Sequence, residues 1–288
     1  MPQTEISTLT YNLPKLVNEN GGQTRIFIPK YGNINERRHQ LHEVIRLSGI
    51  NLIIDDMDMP LIIKVASIPK ERMQVYFIDS EDYFKGRSGY SKDENNKLYK
   101  DNDERSIFFS KGVIETIKKL NWAPDLIHVH GWIASLLPLY MKYYYKDDPI
   151  FDGTKVVVSL YENALDGKMD KNFVKKIKYD EIDDSNLTLL NESTYENLYK
   201  IALKYAAKNV EYNQVLKDLE TIIYSGTKLN LRYIIDDLFD EESHDELLDF
   251  FNDLESDDIQ IVLDEFEDEY EEEDLKLFRL YHYCEIGF

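Results

Sequence analysis

Cysteine is almost missing from this chain; Cys284 is the only one. An internal disulfide is therefore impossible, multi-cysteine zinc and iron–sulfur sites are excluded, and the lone thiol suits a reducing cytoplasm. Long apolar runs are missing too. The longest extends roughly from Trp132 to Met141, far short of the ~20 residues a membrane-spanning helix needs. The opening residues MPQTEISTLT hold no basic stretch and no apolar core, so no signal peptide is expected. Three chemical signatures are also absent: the P-loop, the GxSxG nucleophile elbow and the GxGxxG turn.

Basic residues are scarce in one region only. The 288 residues carry 55 acids and 34 bases, a net charge of −21. Glu211 to Phe288 holds 25 of the acids and 5 of the bases, a net of −20, which leaves 30 acids and 29 bases before it. A step this sharp marks a boundary near Val210. It divides the chain into an α/β region, residues 1–208, and an acidic helical region, residues 211–288. Phosphate contacts need Lys and Arg, so the acidic region is not expected to bind nucleic acid.

The first region alternates strand and helix signals. Arg25–Pro29 reads as a strand after the Gly21-Gly22 turn, and Val44–Ser48 with Asn51–Asp55 reads as a hairpin about Gly49. Leu61–Val65 and Gln74–Asp79 add strands, and the polar stretch Gly86–Asp103 reads as a surface loop. Phe109, Val113, Ile117 and Leu120 share one face of a helix over Ser106–Leu120. Leu126–Val129, a helix over Ile133–Tyr145 and the strand Lys155–Leu160 follow. Strand, helix, strand predicts a parallel sheet of Rossmann type. Ser193-x-x-Glu196 has capping-box spacing for a helix over Thr194–Lys208. The acidic region predicts helices over Glu211–Tyr224, Leu229–Phe239, His244–Leu254, Asp258–Phe266 and Glu272–Cys284, with Ser243-x-x-Glu246 as a second capping box. Leu247, Phe250, Phe251 and Leu254 form one apolar face, and Ile234, Ile235, Leu238 and Phe239 another.

His128-Val-His130-Gly-Trp132 closes a predicted strand. Residues two apart share a side, so both histidines face one crevice at the strand's carboxyl end, where such sheets bind ligands. They can bind a metal, bond a ligand or pack; without a third ligand nearby the metal signal is poor. His39 and His42 stand in the wrong order for a zinc helix. Asp253 to Asp264 lacks the glycine and the terminal Glu of a calcium loop, and Asp257 or Ser256 reads better as a helix cap. Cys284, among Tyr281, Tyr283 and Ile286, reads as a packing thiol. No metal or other cofactor is expected.

Five strings stand in one order: Asn12-Leu-Pro14-Lys, Ile28-Pro-Lys-Tyr-Gly32-Asn-Ile, Val75-Tyr-Phe-Ile-Asp79, Asp101-Asn102-Asp-Glu-Arg105-Ser-Ile-Phe-Phe-Ser110-Lys, and Trp122-Ala-Pro-Asp125-Leu-Ile-His128-Val-His130-Gly-Trp132. Over residues 1–208 this resembles the N-terminal domain of bacterial glycogen/starch synthases, above all their short single-domain relatives. The resemblance implies half of a two-domain Rossmann-like fold. It also implies retaining transfer of glucose from ADP-glucose to an α-1,4-glucan, in the cleft between the domains. Of the family's functional positions in this half, His130 and Trp132 keep their type and are the expected substrate contacts. Asp101, Asn102 and Arg105 also match, with a structural role open to them.

The departures bear on chemistry. The family's opening strand would lie before Met1. Its Lys-Thr-Gly-Gly loop falls on Pro2-Gln-Thr-Glu5, where Pro offers no cation and Glu5 would repel a diphosphate. The motif His-x-His-Asp-Trp-His becomes His128-Val-His130-Gly131-Trp132-Ile133, and the family's next His falls near Leu160 or Tyr161. The second nucleotide-binding domain is replaced by the acidic helices. No catalytic residue is assigned. Three readings follow: a degenerate glucosyltransferase domain, without turnover on its own, that binds ADP-glucose or α-glucan; a glucosyltransferase that needs a second chain to supply the missing domain; or a non-catalytic interaction module whose acidic helices hold a protein partner. None involves a membrane.

Overall fold

The computed structural model describes residues 5–68, 71, 73–87, 91–93, 95–161, 167–206, 219–220, 223–224, 231–254, 259–266, 269–270 and 272–286. The chain divides into two compact units, Met1–Lys208 and Asn209–Phe288. Among the described residues no helix is long and apolar enough to cross a membrane.

Unit 1 begins with helix α1 (Glu5–Glu19) and strand β1 (Arg25–Pro29). Strands β2 (His42–Glu43), β3 (Ile50–Ile54), β4 (Met57–Ile68) and β5 (Met73–Asp79) complete a five-stranded sheet in the order β1-β5-β4-β2, with β3 on β4. β1 runs parallel to β5, Ile26 opposite Val75 and Ile28 opposite Phe77. β4 runs antiparallel to both β5 and β3, so this sheet is mixed. Met59, Leu61, Ile63 and Val65 of β4 alternate inward, as a period of two requires on a half-buried sheet.

The hairpin lies one element later than its expected place about Gly49. It joins β3 to β4 through Asp55-Asp56, pairing Ile54 with Met57. Asp55 takes φ +57°, a left-handed conformation that Asp tolerates and a two-residue turn demands. Val44–Ser48 is instead a turn beside β4. Val44 N–H donates to Ile63 O, and Ser48 Oγ accepts from Ile63 N–H at 3.0 Å.

Helix α2 (Asn102–Leu120) crosses this sheet with most of its residues buried. Asp103 and Glu104 in its first turn and Lys118 and Lys119 in its last match the helix dipole. Asn121 ends it with φ +48°, its N–H returned to Ile117 O and Lys118 O. Gly112 sits where a Cβ would come within 3.0 Å of Ile78 and 3.2 Å of Leu61. Glycine at this point lets the helix approach the sheet closely. Phe108, Val113, Ile114 and Ile117 of this helix are all buried.

Strand β6 (Leu126–His130) leads through a 3₁₀ turn (Trp132–Ala134) into helix α3 (Leu137–Tyr143). The single helix expected over Ile133–Tyr145 is therefore broken near Ser135. Strand β7 (Lys155–Ser159) returns parallel to β6 and forms a separate two-stranded sheet with it. Short helices α4 (Phe173–Lys178) and α5 (Asp184–Leu187) precede α6 (Tyr195–Tyr205). Thr194, not Ser193, caps α6, its hydroxyl accepting from Asn197 N–H at 3.1 Å. The Ser193 hydroxyl instead donates to Leu190 O.

Unit 2 is helical: α7 (Arg232–Leu238), α8 (Glu241–Asp253), α9 (Ile259–Glu265) and α10 (Glu272–Ile286). Ile235, Leu247, Phe251, Val262, Phe278 and Cys284 belong to a core of this unit's own. Leu238 is exposed, unlike its expected face-mates Ile235 and Phe239. Asp240, not Ser243, caps α8, accepting from Ser243 N–H at 2.9 Å. Most of the helix expected over Glu211–Tyr224, and the cap expected at Ser256 or Asp257, lie outside the described residues.

The ion pair of Lys111 with Asp180 in unit 1 is buried. Lys111 Nζ of α2 donates to Asp180 Oδ1 at 2.5 Å and to Ile53 O at 2.8 Å. Tyr140 donates to Asp180 Oδ2 at 2.8 Å. Removing one partner of a buried pair strands a charge and costs about 3–5 kcal/mol. Lys111→Ala and Asp180→Ala should each lose that much stability in urea unfolding, and Lys111→Met with Asp180→Leu clearly less than the two losses together. A double variant that loses the full sum would contradict this reading.

Candidate functional site

The site is built by the β6–β7 register. His128 lies opposite Val157 and His130 opposite Ser159. The period of two sends both imidazoles to one side. Each then reaches diagonally to the β7 residue two places beyond its partner. His128 Nε2 lies 2.7 Å from Ser159 Oγ, and His130 Nδ1 lies 2.6 Å from the Tyr161 hydroxyl. The two rings are 4.0 Å apart, centroid to centroid.

Both histidines are half-buried, and burial disfavours their charged forms. His130 is pushed down to about 4, first by burial and then by the neighbouring His128. His128 is also lowered by burial. The pair is neutral at pH 7 and offers hydrogen bonds without charge.

Gly131 turns the chain out of β6 with φ +73°, a conformation that favours glycine. Space is not what requires it, since a Cβ there would meet only Ile6 Cδ1 of α1, at 3.7 Å. Trp132 is 8% exposed. Its indole stands edge-on to Tyr195 at 5.7 Å, and the Arg105 guanidinium lies 5.5 Å from its centroid. Ser106 of α2 donates to Ile133 O at 3.2 Å and, at 3.4 Å, to Trp132 O. Tyr199 of α6 lies by the Trp132 backbone, and burial reduces the acidity of its phenol. Trp132 is thus a buried wall behind the histidines.

The matched polar string supports that wall. Asn102 Nδ2 donates to Tyr195 Oη at 2.7 Å and to Ser91 O at 2.8 Å, while Arg105 donates to Asn102 Oδ1 at 2.7 Å. Asp101 pairs with Arg87 at 2.9 Å. Arg105 is fully buried among the rings of Tyr31, Phe84, Tyr99 and Trp132. These residues frame the site from inside.

The other candidates lie elsewhere. His42 is in β2 and exposed, and His39 is in the turn before it. Among the described residues, no group of three or more His, Cys, Asp or Glu gathers to hold a metal. Cys284 is buried in the core of unit 2. Ser159 and Tyr199 were not singled out from the sequence, and Tyr161 only as a place near which the family's next His falls. Only the strand register and the packing of α6 bring them to the histidines.

The model of the starch synthase catalytic domain family matches residues 4–214. A RecQ-1-like helix-turn-helix model matches residues 198–235. Among curated relatives, the glycogen synthase of Chlorobium luteolum is 39% identical over 173 residues, 59% of this chain and 35% of that protein. That of Chlorobaculum tepidum is 36% identical over 195 residues, 68% of this chain and 39% of that protein. The chain spans well under half the length of these relatives. The catalytic domain of starch synthase IV from Arabidopsis thaliana, solved with ADP and acarbose, shares the fold at a TM-score of 0.56 and 18% identity, over 77% of this chain and 46% of that one.

A histidine whose pKa is depressed in the folded state adds stability above its unfolded value of 6.5, and loses it as pH falls toward the folded value. The His130 ring signals should therefore titrate near pH 4 in NMR spectra of the folded chain. The His130→Gln variant should lose less stability than the wild type between pH 6.5 and 4. A folded-state midpoint at or above pH 6.5 would contradict the burial argument.

Proposed function

The chain belongs, through residues 4–214, to the starch synthase catalytic domain family, and on that premise we propose that unit 1 is a degenerate glucosyltransferase domain. It keeps a weak half-site for ADP-glucose or an α-1,4-glucan and does not transfer glucose by itself. The observation that carries this is the retained His130, neutral and half-buried at the carboxyl end of β6 above the buried wall of Trp132. That is where a sheet of this type receives its ligand. His130 bonds the ligand, and Trp132 shapes the floor that positions it.

The case against turnover rests on charge. Gly131 and Ile133 stand where the family motif has Asp and His, and Pro2 stands where it has Lys. A group that stabilises developing charge in a transition state is worth orders of magnitude in rate. The lost Lys and His could each have met the charge of a departing diphosphate, and the lost Asp a positive charge developing on the sugar. The lone cysteine suits a cytoplasmic setting.

Titration calorimetry with ADP-glucose and with a maltooligosaccharide is the direct test. A half-site predicts millimolar binding of at least one, about −4 kcal/mol, and loss of that binding in His130→Ala. No radiolabelled glucose should pass from ADP-glucose to glucan. Measurable transfer by the purified chain would overturn the degenerate reading. Silence toward both ligands would overturn the half-site.

A second reading belongs to unit 2. Its apolar faces are used in its own core, and a net charge of −20 is carried by residues 211–288. We infer that this charge makes a docking surface for a basic protein. Complexes captured from lysate on the full chain should dissolve as salt rises from 0.05 to 0.5 M, the screening length shrinking to ~4 Å at the upper end. Capture unchanged across that range would count against an electrostatic partner.

A further inference from the structure

We infer that Tyr161 is a positioning residue: its hydroxyl donates to His130 Nδ1, fixes the imidazole as the Nε2–H tautomer and aims that N–H at the ligand. The geometry is a 2.6 Å contact between a tyrosine just past the end of β7 and a histidine at the end of β6. Register makes the contact reproducible. Ser159 lies opposite His130 in the parallel pair, and Tyr161 lies two residues on, the same diagonal that sets Ser159 against His128.

The direction of the bond follows from acidity. A neutral imidazole has one nitrogen that donates and one that accepts. A phenol is far more acidic than a neutral ring N–H, so the phenol supplies the proton and Nδ1 accepts it. His130 is held neutral by its surroundings, as described above, so the choice of tautomer is a real one. With Nδ1 occupied, Nε2–H is the group left for a ligand oxygen. A second tyrosine lies close by. Tyr161 is near enough to Tyr199 of α6 to act on it electrostatically, and Tyr199 also lies by the Trp132 backbone. The Tyr161 phenol is thus set between the histidine strand and the helix that supports the tryptophan wall.

The role in ligand binding rests on the half-site proposed above; the tautomer does not, so the two can fail separately. Long-range nitrogen–proton NMR on histidine-labelled full-length chain reads the tautomer with no ligand present. Wild type should show His130 in the Nε2–H form. Tyr161→Phe should give a mixture of tautomers with the rest of the spectrum preserved. Ser159→Ala should alter His128 and leave the His130 tautomer alone. If maltooligosaccharide binds the wild type, Tyr161→Phe should weaken it ~3- to 10-fold, the scale of one oriented hydrogen bond. An Nδ1–H wild type, or a tautomer indifferent to Tyr161→Phe, would overturn the inference whatever the ligand does. A tautomer that responds, with no sugar bound at millimolar concentration, would uphold the positioning and sink the half-site instead.

Discussion

Helix α2 sets the terms for unit 1, because it is polar in sequence and buried in place. A helix so enclosed must find partners for the polar groups it carries inward, since each one left unmet costs about 1–3 kcal/mol. Most find them in neighbouring elements, while the Ser110 hydroxyl and Asp103 Oδ1 are buried without one. Lys176 of α4 reaches Asp103 and Glu104 at 2.6 Å each, Asp180 takes Lys111, and Tyr195 of α6 takes Asn102. Gly112 removes the one side chain that would hold the helix off the sheet. Sheet, helices and loops are thereby referred to one axis.

That axis also places the site. Arg105 lies over Trp132 and Ser106 bonds the carbonyls of the 3₁₀ turn, so the end of β6 is fixed from below by α2. Tyr195 and Tyr199 of α6 fix it from the side. The histidines then have little freedom. Their strand is anchored at its end and paired with β7, and their rings meet fixed hydroxyls. A site held this way is preorganised, which spares a ligand the cost of ordering it.

Much of this could be read from the residues. Apolar spacing locates β1, β5 and α2 to within a few residues, and period two places His128 and His130 together. The errors share a cause. Ser193 and Thr194 are adjacent and both can cap a helix; backbone angles decide, and they select Thr194, which is extended. Asp240 displaces Ser243 in the same way. Gly49 looked like a hairpin, yet Asp55-Asp56 makes it, because pairing over Ile50–Ile54 and Met57–Leu61 buries Leu52 and Ile54. Ser159 and Tyr161 were out of reach for a different reason. They stand 31 residues from their histidines, and only the β6–β7 register, a property of two strands jointly, makes them partners.

Fold and chemistry separate cleanly in this chain. The residues that carry the fold, Asn102, Arg105, Lys111 and the apolar faces of α2, β4 and β5, are buried and mutually bonded, so losing any of them is costly. The positions where the family motif changes are of another kind. A side chain at Gly131 would meet nothing but Ile6 at ordinary contact distance, although the φ of +73° would strain it. On the reading proposed above, the family's architecture outlasts its catalytic charges, and a pair of neutral histidines suits a ligand that is held more than one that is turned over.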